Sequence, residues 1–301
     1  MLKDETKLKR EIENAKTPKD KLLAKYELGK LYHDEGKYSQ AIEIYKEIER
    51  SKDNPVSESQ LLNALANSYY LLEDDDTSAL LYEKVLSLNK EVIENGFTVA
   101  DAALKLGIIN YHKGNLEGAL KYFKFSWKFQ DCFDDEAKSF LHTHLGRCYY
   151  DLKDYAAAIS HHKRSIELYE KLGRRDDWLY ILYEELGWCY YCLEKYEEAI
   201  GIFRKIEDEC PNFSKIYDVY RLIAFSLWNV KRYNETVRYL EQLLKMGPKE
   251  KDVAHFDYYI GTSYYLIGKY DKAKVHLTRF TKLGSSDEWM VEDAKKFLAK
   301  L

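Results

Sequence analysis

Leucine or isoleucine followed by a small residue recurs seven times along the chain, and the same order of sizes follows each time. The small anchors are Gly29, Ala66, Gly107, Gly146, Gly187, Ala224 and Gly261, which stand 37, 41, 39, 41, 37 and 37 residues apart. Twelve positions beyond each anchor is a second small residue: Ala41, Ser78, Ala119, Ala158, Ala199, Thr236 or Ala273. One helical turn further is a larger one: Tyr45, Tyr82, Phe123, His162, Phe203, Leu240 or Leu277. A fixed internal period predicts a stacked solenoid. Each copy reads as two antiparallel helices. Small residues at the crossing let the backbones approach, and large ones fill the space beside it. One such pair cannot bury its apolar face alone, so neighbours stack and share a core.

The breaks in the pattern are also legible. Glu35-Gly36-Lys37, Lys113-Gly114-Asn115 and Ile267-Gly268-Lys269 place glycine where the first helix of a pair must stop. Lys153, Glu194 and Lys231 hold that place in three other copies, so those turns form without glycine. Thr17-Pro18-Lys19-Asp20 reads as a helix start, with Thr17 as N-cap and Pro18 at the first helical position. Asn54-Pro55 reads as a second start. Residues 1–16 are assigned to an N-terminal helix or frayed segment, 17–284 to the repeat array, and 285–301 to a capping helix. In that last segment Trp289, Met290, Ala294, Phe297, Leu298 and Leu301 recur at helical spacing, with Glu292, Asp293, Lys295 and Lys296 opposite. Such a helix seals the end of an open stack.

This order of residues resembles the tetratricopeptide repeat family. Leu28-Gly29, Tyr32, Gly36, Tyr38, Ala41 and Tyr45 carry the likeness in one copy, and Leu186-Gly187, Tyr190, Tyr196, Ala199 and Phe203 in another. Pro211 and Pro248 fit the proline that closes the motif; the other five copies lack it. The likeness covers residues 20 to 284. It implies an all-α, right-handed superhelical solenoid of about seven hairpins. The spacing exceeds the usual period of about 34 residues. The extra residues fall at 51–59, 87–98 and 130–138 and are read as a longer second helix plus a longer connection. Lengthened repeats of this kind look like those of peptide-responsive bacterial regulators.

The resemblance implies that the first helix of each pair lines an inner groove. Four positions after each anchor stand His33, Tyr70, Tyr111, Tyr150, Tyr191, Trp228 and Tyr265. One position after stand Lys30, Asn67, Ile108, Arg147, Trp188, Phe225 and Thr262; three before stand Tyr26, Asn63, Leu104, Thr143, Glu184, Arg221 and Tyr258. These sets share one helix stripe. They read as an aromatic ladder with Arg147 and Arg221 as charged clamps, suited to an extended peptide or a partner helix. The competing reading is that the tyrosines pad adjacent helices with their hydroxyls in water. The candidate partner-binding residues are Arg147, Tyr150, Trp188, Tyr191, Arg221, Phe225, Trp228, Tyr111, Tyr70 and Tyr265. Some members of the family hold C-terminal carboxylates with a lysine–asparagine clamp. Lys30, Asn63, Asn67 and Lys105 match it in part, but Tyr26 and Asp101 stand where two of its lysines belong.

Composition narrows the functional classes. The formal net charge is −4, with basic residues mixed among acidic ones, which argues against nucleic acid as a partner. Four prolines and no Gly/Ser-rich linker fit one continuous array. Aromatic residues reach 15%, with 27 tyrosines, more than the repeat motif asks for. No run approaches 18 uncharged apolar residues, so no membrane insertion is expected. The N-terminus has no signal peptide, and five cysteines without framework spacing suit a reducing cytoplasm. Cys189-x-x-Cys192 lies inside a helix without a second pair, so it is no metal or redox motif. His142-x-His144 and His161-His162 point in different directions on a helix, and His162 fills a core position.

The expectation is therefore a non-catalytic scaffold or adaptor in the cytoplasm, without cofactor or metal, holding a protein or peptide ligand in its groove. One rival is a peptide-gated regulator that changes superhelix shape. Another is a self-assembling structural protein, which would make the chain a homo-oligomer.

Overall fold

The computed structural model describes residues 5–52, 54–88, 96–247, 250–284 and 287–301. Pro248, part of the connection at 87–98 and the first residues of the capping segment lie outside them. Among the described residues the chain is helical without strands. It divides into two compact units, Met1–Cys148 and Tyr149–Leu301.

The first unit opens with α1 (Glu5–Glu13), whose Leu8 is buried. Three hairpins follow: α2 (Pro18–Asp34) with α3 (Tyr38–Glu49), α4 (Glu58–Leu71) with α5 (Asp75–Leu88), and α6 (Gly96–His112) with α7 (Leu116–Trp127). The helix α8 (Asp135–Asp151) runs across the unit boundary. The second unit continues with α9 (Tyr155–Lys171), then α10 (Asp177–Cys192) with α11 (Tyr196–Glu209), α12 (Ile216–Asn229) with α13 (Tyr233–Lys245), and α14 (Glu250–Leu266) with α15 (Tyr270–Leu283). It closes with α16 (Glu288–Leu298).

The size order seen in the sequence is the packing rule of each hairpin. A Cβ on Gly29 would lie 2.5 Å from the Tyr45 ring, on Gly107 2.4 Å from Phe123, on Gly187 2.5 Å from Phe203 and on Gly261 2.7 Å from Leu277. Each anchor is thus small because the large residue sixteen positions later lies directly against its backbone. The large residues are buried, as are the second small ones from Ala41 to Ala273.

Thr17 caps α2 as its sequence suggests, accepting from the Asp20 backbone N–H at 3.1 Å, with Pro18 in the first turn. The start read at Asn54-Pro55 is three residues early: α4 begins at Glu58 after Ser57. Asn54 Oδ1 instead accepts from the Val56 N–H at 2.9 Å, so a local turn takes the side chain that would have capped a helix. Among the described residues, those added at 51–59 and 130–138 fall mostly in connections. Gln130–Cys132 forms a single 3-10 turn, while α9 is itself extended to 17 residues.

All seven hairpins close on the same turn. The residue three past the ladder position has positive φ in every copy: Gly36, Glu73, Gly114, Lys153, Glu194, Lys231 and Gly268. Its N–H returns to the ladder residue's carbonyl, and the next N–H to the carbonyl one before, as in Lys195 N→Tyr190 O at 3.0 Å and Glu194 N→Tyr191 O at 2.9 Å. Lys153, Glu194 and Lys231 therefore adopt glycine's conformation, at φ 62, 58 and 63°, against the clash of Cβ with the neighbouring carbonyl. Replacing each by glycine is expected to raise the urea midpoint, by about 1 kcal/mol of stability per site. Gly36→Ala and Gly268→Ala should lower it by a similar amount. An unchanged midpoint in all five variants would refute the strain.

The tyrosine surplus has a structural use. Rings are buried between helices while hydroxyls reach carboxylates on a neighbouring one: Tyr32 to Glu5 at 2.9 Å, Tyr264 to Glu241 at 2.7 Å and Tyr239 to Glu207 at 2.5 Å. Phenylalanine would fill the same space but leave those latches unmade.

Candidate functional site

The ladder residues sit in the last turn of the first helix of each pair, half-buried rather than free. Four of them pack edge-on or tilted against the aromatic that opens the second helix: His33 on Tyr38, Tyr150 on Tyr155, Tyr191 on Tyr196 and Tyr265 on Tyr270, with centroids 5.4–5.5 Å apart. One edge of each ring thus braces the hairpin turn. Tyr70 carries Lys105 Nζ 4.9 Å from its ring centroid, and Tyr111 lies 6.1 Å from His112.

The other stripe positions form close aromatic contacts in the second unit. Trp188 meets Tyr191 edge-on at 5.8 Å, Phe225 meets Tyr259 at 5.0 Å, and Trp228 meets Tyr259 edge-on at 5.1 Å. Arg221 Nη2 pairs with Asp218 at 2.9 Å, while its buried Nε and the buried Trp228 Nε1 make no hydrogen bond among the described residues. These two donors stand seven residues apart on one face of α12. Glu184, nearly buried, is held by Lys215 Nζ at 2.7 Å. Arg147 is half-buried on α8.

Cavities open on this same stripe in both units. In the first unit one of about 290 Å³ is lined by Tyr26, Lys30, His33, Asn63 and Asn67, with Tyr45 at its wall. In the second a groove of about 440 Å³ is lined by Trp228, Tyr258 and Thr262 together with Trp289 and Phe297 of α16. The sequence reading placed Trp289 and Phe297 in a sealing helix and missed their part in the groove. The signal was a tryptophan in that helix's first turn, where a seal needs only polar residues outside.

The partial carboxylate clamp is filled from within. Asn63 Nδ2 and Asn67 Nδ2 both donate to Asp101 Oδ2, at 2.9 and 3.1 Å. With an anionic side chain already fixed between the two amides, an anionic tail would have to displace Asp101.

The remaining candidate chemistry is structural. Burial pushes the Cys189 thiol up to about 12, so it stays protonated and unreactive. No cluster of metal-ligating residues occurs among those described. His144 stacks on Phe123 at 5.7 Å and meets Phe140 edge-on at 4.4 Å, and neither ring nitrogen makes a hydrogen bond among the described residues. Burial, with Arg147 second, pushes its pKa down to about 3. The unfolded chain binds a proton there near pH 6.5 and the folded chain does not. Stability is therefore fully present above 6.5 and lost as pH falls toward 3. About 2 kcal/mol should disappear between pH 7 and 5 from this residue, and His144→Phe should flatten that slope in urea titrations. An unchanged slope would show that His144 is protonated in place.

Sequence models of the tetratricopeptide repeat match residues 23–54, 138–208 and 257–283. No curated protein is similar enough to count as a match. Among solved structures, a signal transduction ATPase with numerous domains and a tetratricopeptide repeat sensor from Pyrococcus horikoshii is similar over 98% of this chain, at 19% identity and a TM-score of 0.61. This chain spans only 46% of that protein. The C-terminal part of a tetratricopeptide repeat-containing protein from Cytophaga hutchinsonii is similar over 89% of this chain and 98% of its own length, at 20% identity and a TM-score of 0.60. The apo form of RapI is similar over 93% and 99%, at 16% identity and a TM-score of 0.55. At these identities the likeness is one of fold. No described helix is long and apolar enough to cross a membrane.

Proposed function

We propose that this chain, which belongs to the tetratricopeptide repeat family, is a non-catalytic cytoplasmic scaffold that holds a peptide or protein segment against its first helices. Repeats of this family generally mediate protein interactions. The observation that carries the reading is that a cavity lies on this stripe in each unit, while a third, of about 440 Å³, lies off it on α15. Each lies within one unit and includes residues three before, one after and four after the anchors, beside Phe97 and Thr98 in the first and five residues of α16 in the second. Aromatic and arginine side chains in such grooves dominate binding energy elsewhere.

Photo-crosslinking tests it. A benzophenone side chain placed at Tyr70 or Trp188 is expected to capture a partner that the same group at exposed Leu80 or Val275, on second helices, does not. Arg147→Glu/Trp188→Ala of matched helicity should reduce recovery at least tenfold, the scale of two hot-spot residues. Capture only from Leu80 and Val275 would overturn the reading. Capture of another copy of this chain would replace it with self-assembly.

A further inference from the structure

We infer that the groove between α12, α14 and α16 binds an extended segment of a partner protein carrying one large apolar side chain with an arginine or lysine beside it. This rests on the binding-face reading above and adds the chemistry of the ligand at one place on it.

A helix that only seals a stack presents apolar residues inward and polar ones outward. The inner side of α16 does this through Met290 and Ala294, both buried. Trp289 does not: it is 58% exposed, although its ring edge touches Tyr258 at 5.7 Å. Leu266, at the end of α14, is 47% exposed on the same groove. Two large apolar side chains thus stay in water across a concavity of about 440 Å³, the size range of built ligand sites.

The walls are held before any ligand arrives. Tyr258 donates to Asp293 Oδ2 at 2.6 Å, tying α14 to α16. Tyr265 and Phe297 pack with centroids 4.6 Å apart, and Trp228 is fixed against Tyr259. A groove fixed in this way loses little conformational entropy when it is filled.

Charge selects the neighbour of the apolar anchor. Glu292 and Asp293 line the groove against Lys296 alone. Glu292 stands three residues after Trp289, on the same side of α16 and not opposite it as the sequence reading has it, because three or four residues make one helical turn. A cation beside the anchor meets an aromatic face and a carboxylate together. An acidic neighbour meets Glu292 and is repelled.

The test is an array of capped dodecapeptides in a Gly/Ser host, with the two central residues varied over all pairs, probed with the full chain. The strongest signals are expected where arginine or lysine adjoins tryptophan, phenylalanine, leucine or isoleucine. Trp289→Ser should weaken those signals at least tenfold. Glu292→Arg, at an exposed position that leaves packing untouched, should exchange the basic preference for an acidic one. An array without signal, or a preference that survives both variants, would overturn the inference. So would self-association of the chain that Trp289→Ser abolishes, because a second copy would then be the occupant. Signals that survive Trp289→Ser but vanish in Tyr26→Ala/Asn67→Ala overturn this inference alone and leave the wider binding-face reading standing.

Discussion

Arg279→Met is expected to lower the unfolding free energy by about 3–5 kcal/mol. Asp257 of α14 is fully buried, and Arg279 of α15 donates to both of its carboxylate oxygens. His276 Nδ1 adds a third bond, at 2.8 Å. The hydrogen bond to Asp257 raises the Arg279 pKa, the direction expected for a guanidinium held by a carboxylate. Methionine keeps the aliphatic bulk but leaves a buried carboxylate with the imidazole alone. Removing the charge with its partner is a different experiment. Asp257→Leu/Arg279→Met should fall within about 1 kcal/mol of the native chain, because desolvating an ion pair offsets most of its attraction. Urea unfolding of the single and double variants checks both statements. A loss below about 1 kcal/mol in the single variant would mean that water reaches Asp257.

Phe203→Ala should destabilise by about 3–5 kcal/mol, because it empties a fully buried position between α10 and α11. Gly187→Ala should destabilise by about 1–3 kcal/mol for the opposite reason. The new methyl would sit 2.5, 2.7 and 3.0 Å from three atoms of the Phe203 ring, so the whole ring has to move. The two effects are coupled. In a Phe203→Ala background the methyl meets no ring, and Gly187→Ala should then stabilise by about 1 kcal/mol through helix propensity. Gly201→Ala supplies the control. It lies in α11, exposed, with nothing within 4 Å of a Cβ, and should stabilise by about 0.5–1 kcal/mol. Equal effects of Gly187→Ala in both backgrounds would refute the contact as the reason for the glycine.

The seven hairpins, their turns and their crossing residues were legible in the chain because each depends on neighbours at fixed spacing. A glycine sixteen residues before an aromatic, or a lysine where a helix must reverse, states a local steric demand that survives any arrangement of the rest. Thr17 with Pro18 was legible for the same reason. Asn54-Pro55 misled because an asparagine turn and an asparagine cap use the same side chain, and only the three residues after it decide between them.

The candidate stripe was legible as a set of positions but not as a surface. Spacing marks Tyr150 and Tyr191 as ladder rungs, but their tilted and edge-on contacts with Tyr155 and Tyr196 depend on how each hairpin folds back on itself. Asp101 reaches Asn63 and Asn67 from 38 and 34 residues away, in the next copy of the repeat; the period brings the two copies side by side but does not state which side chains bond.

The sequence by itself determined that this is an all-α array of tetratricopeptide-like hairpins, since helical period, small-residue crossings and helix stops are properties of short stretches. Only the tertiary structure decided which aromatics brace turns, which carboxylates are buried, and where Trp289 leaves a groove open. Those depend on side chains brought together from different helices, whose meeting is set by packing angles that the order of residues does not state.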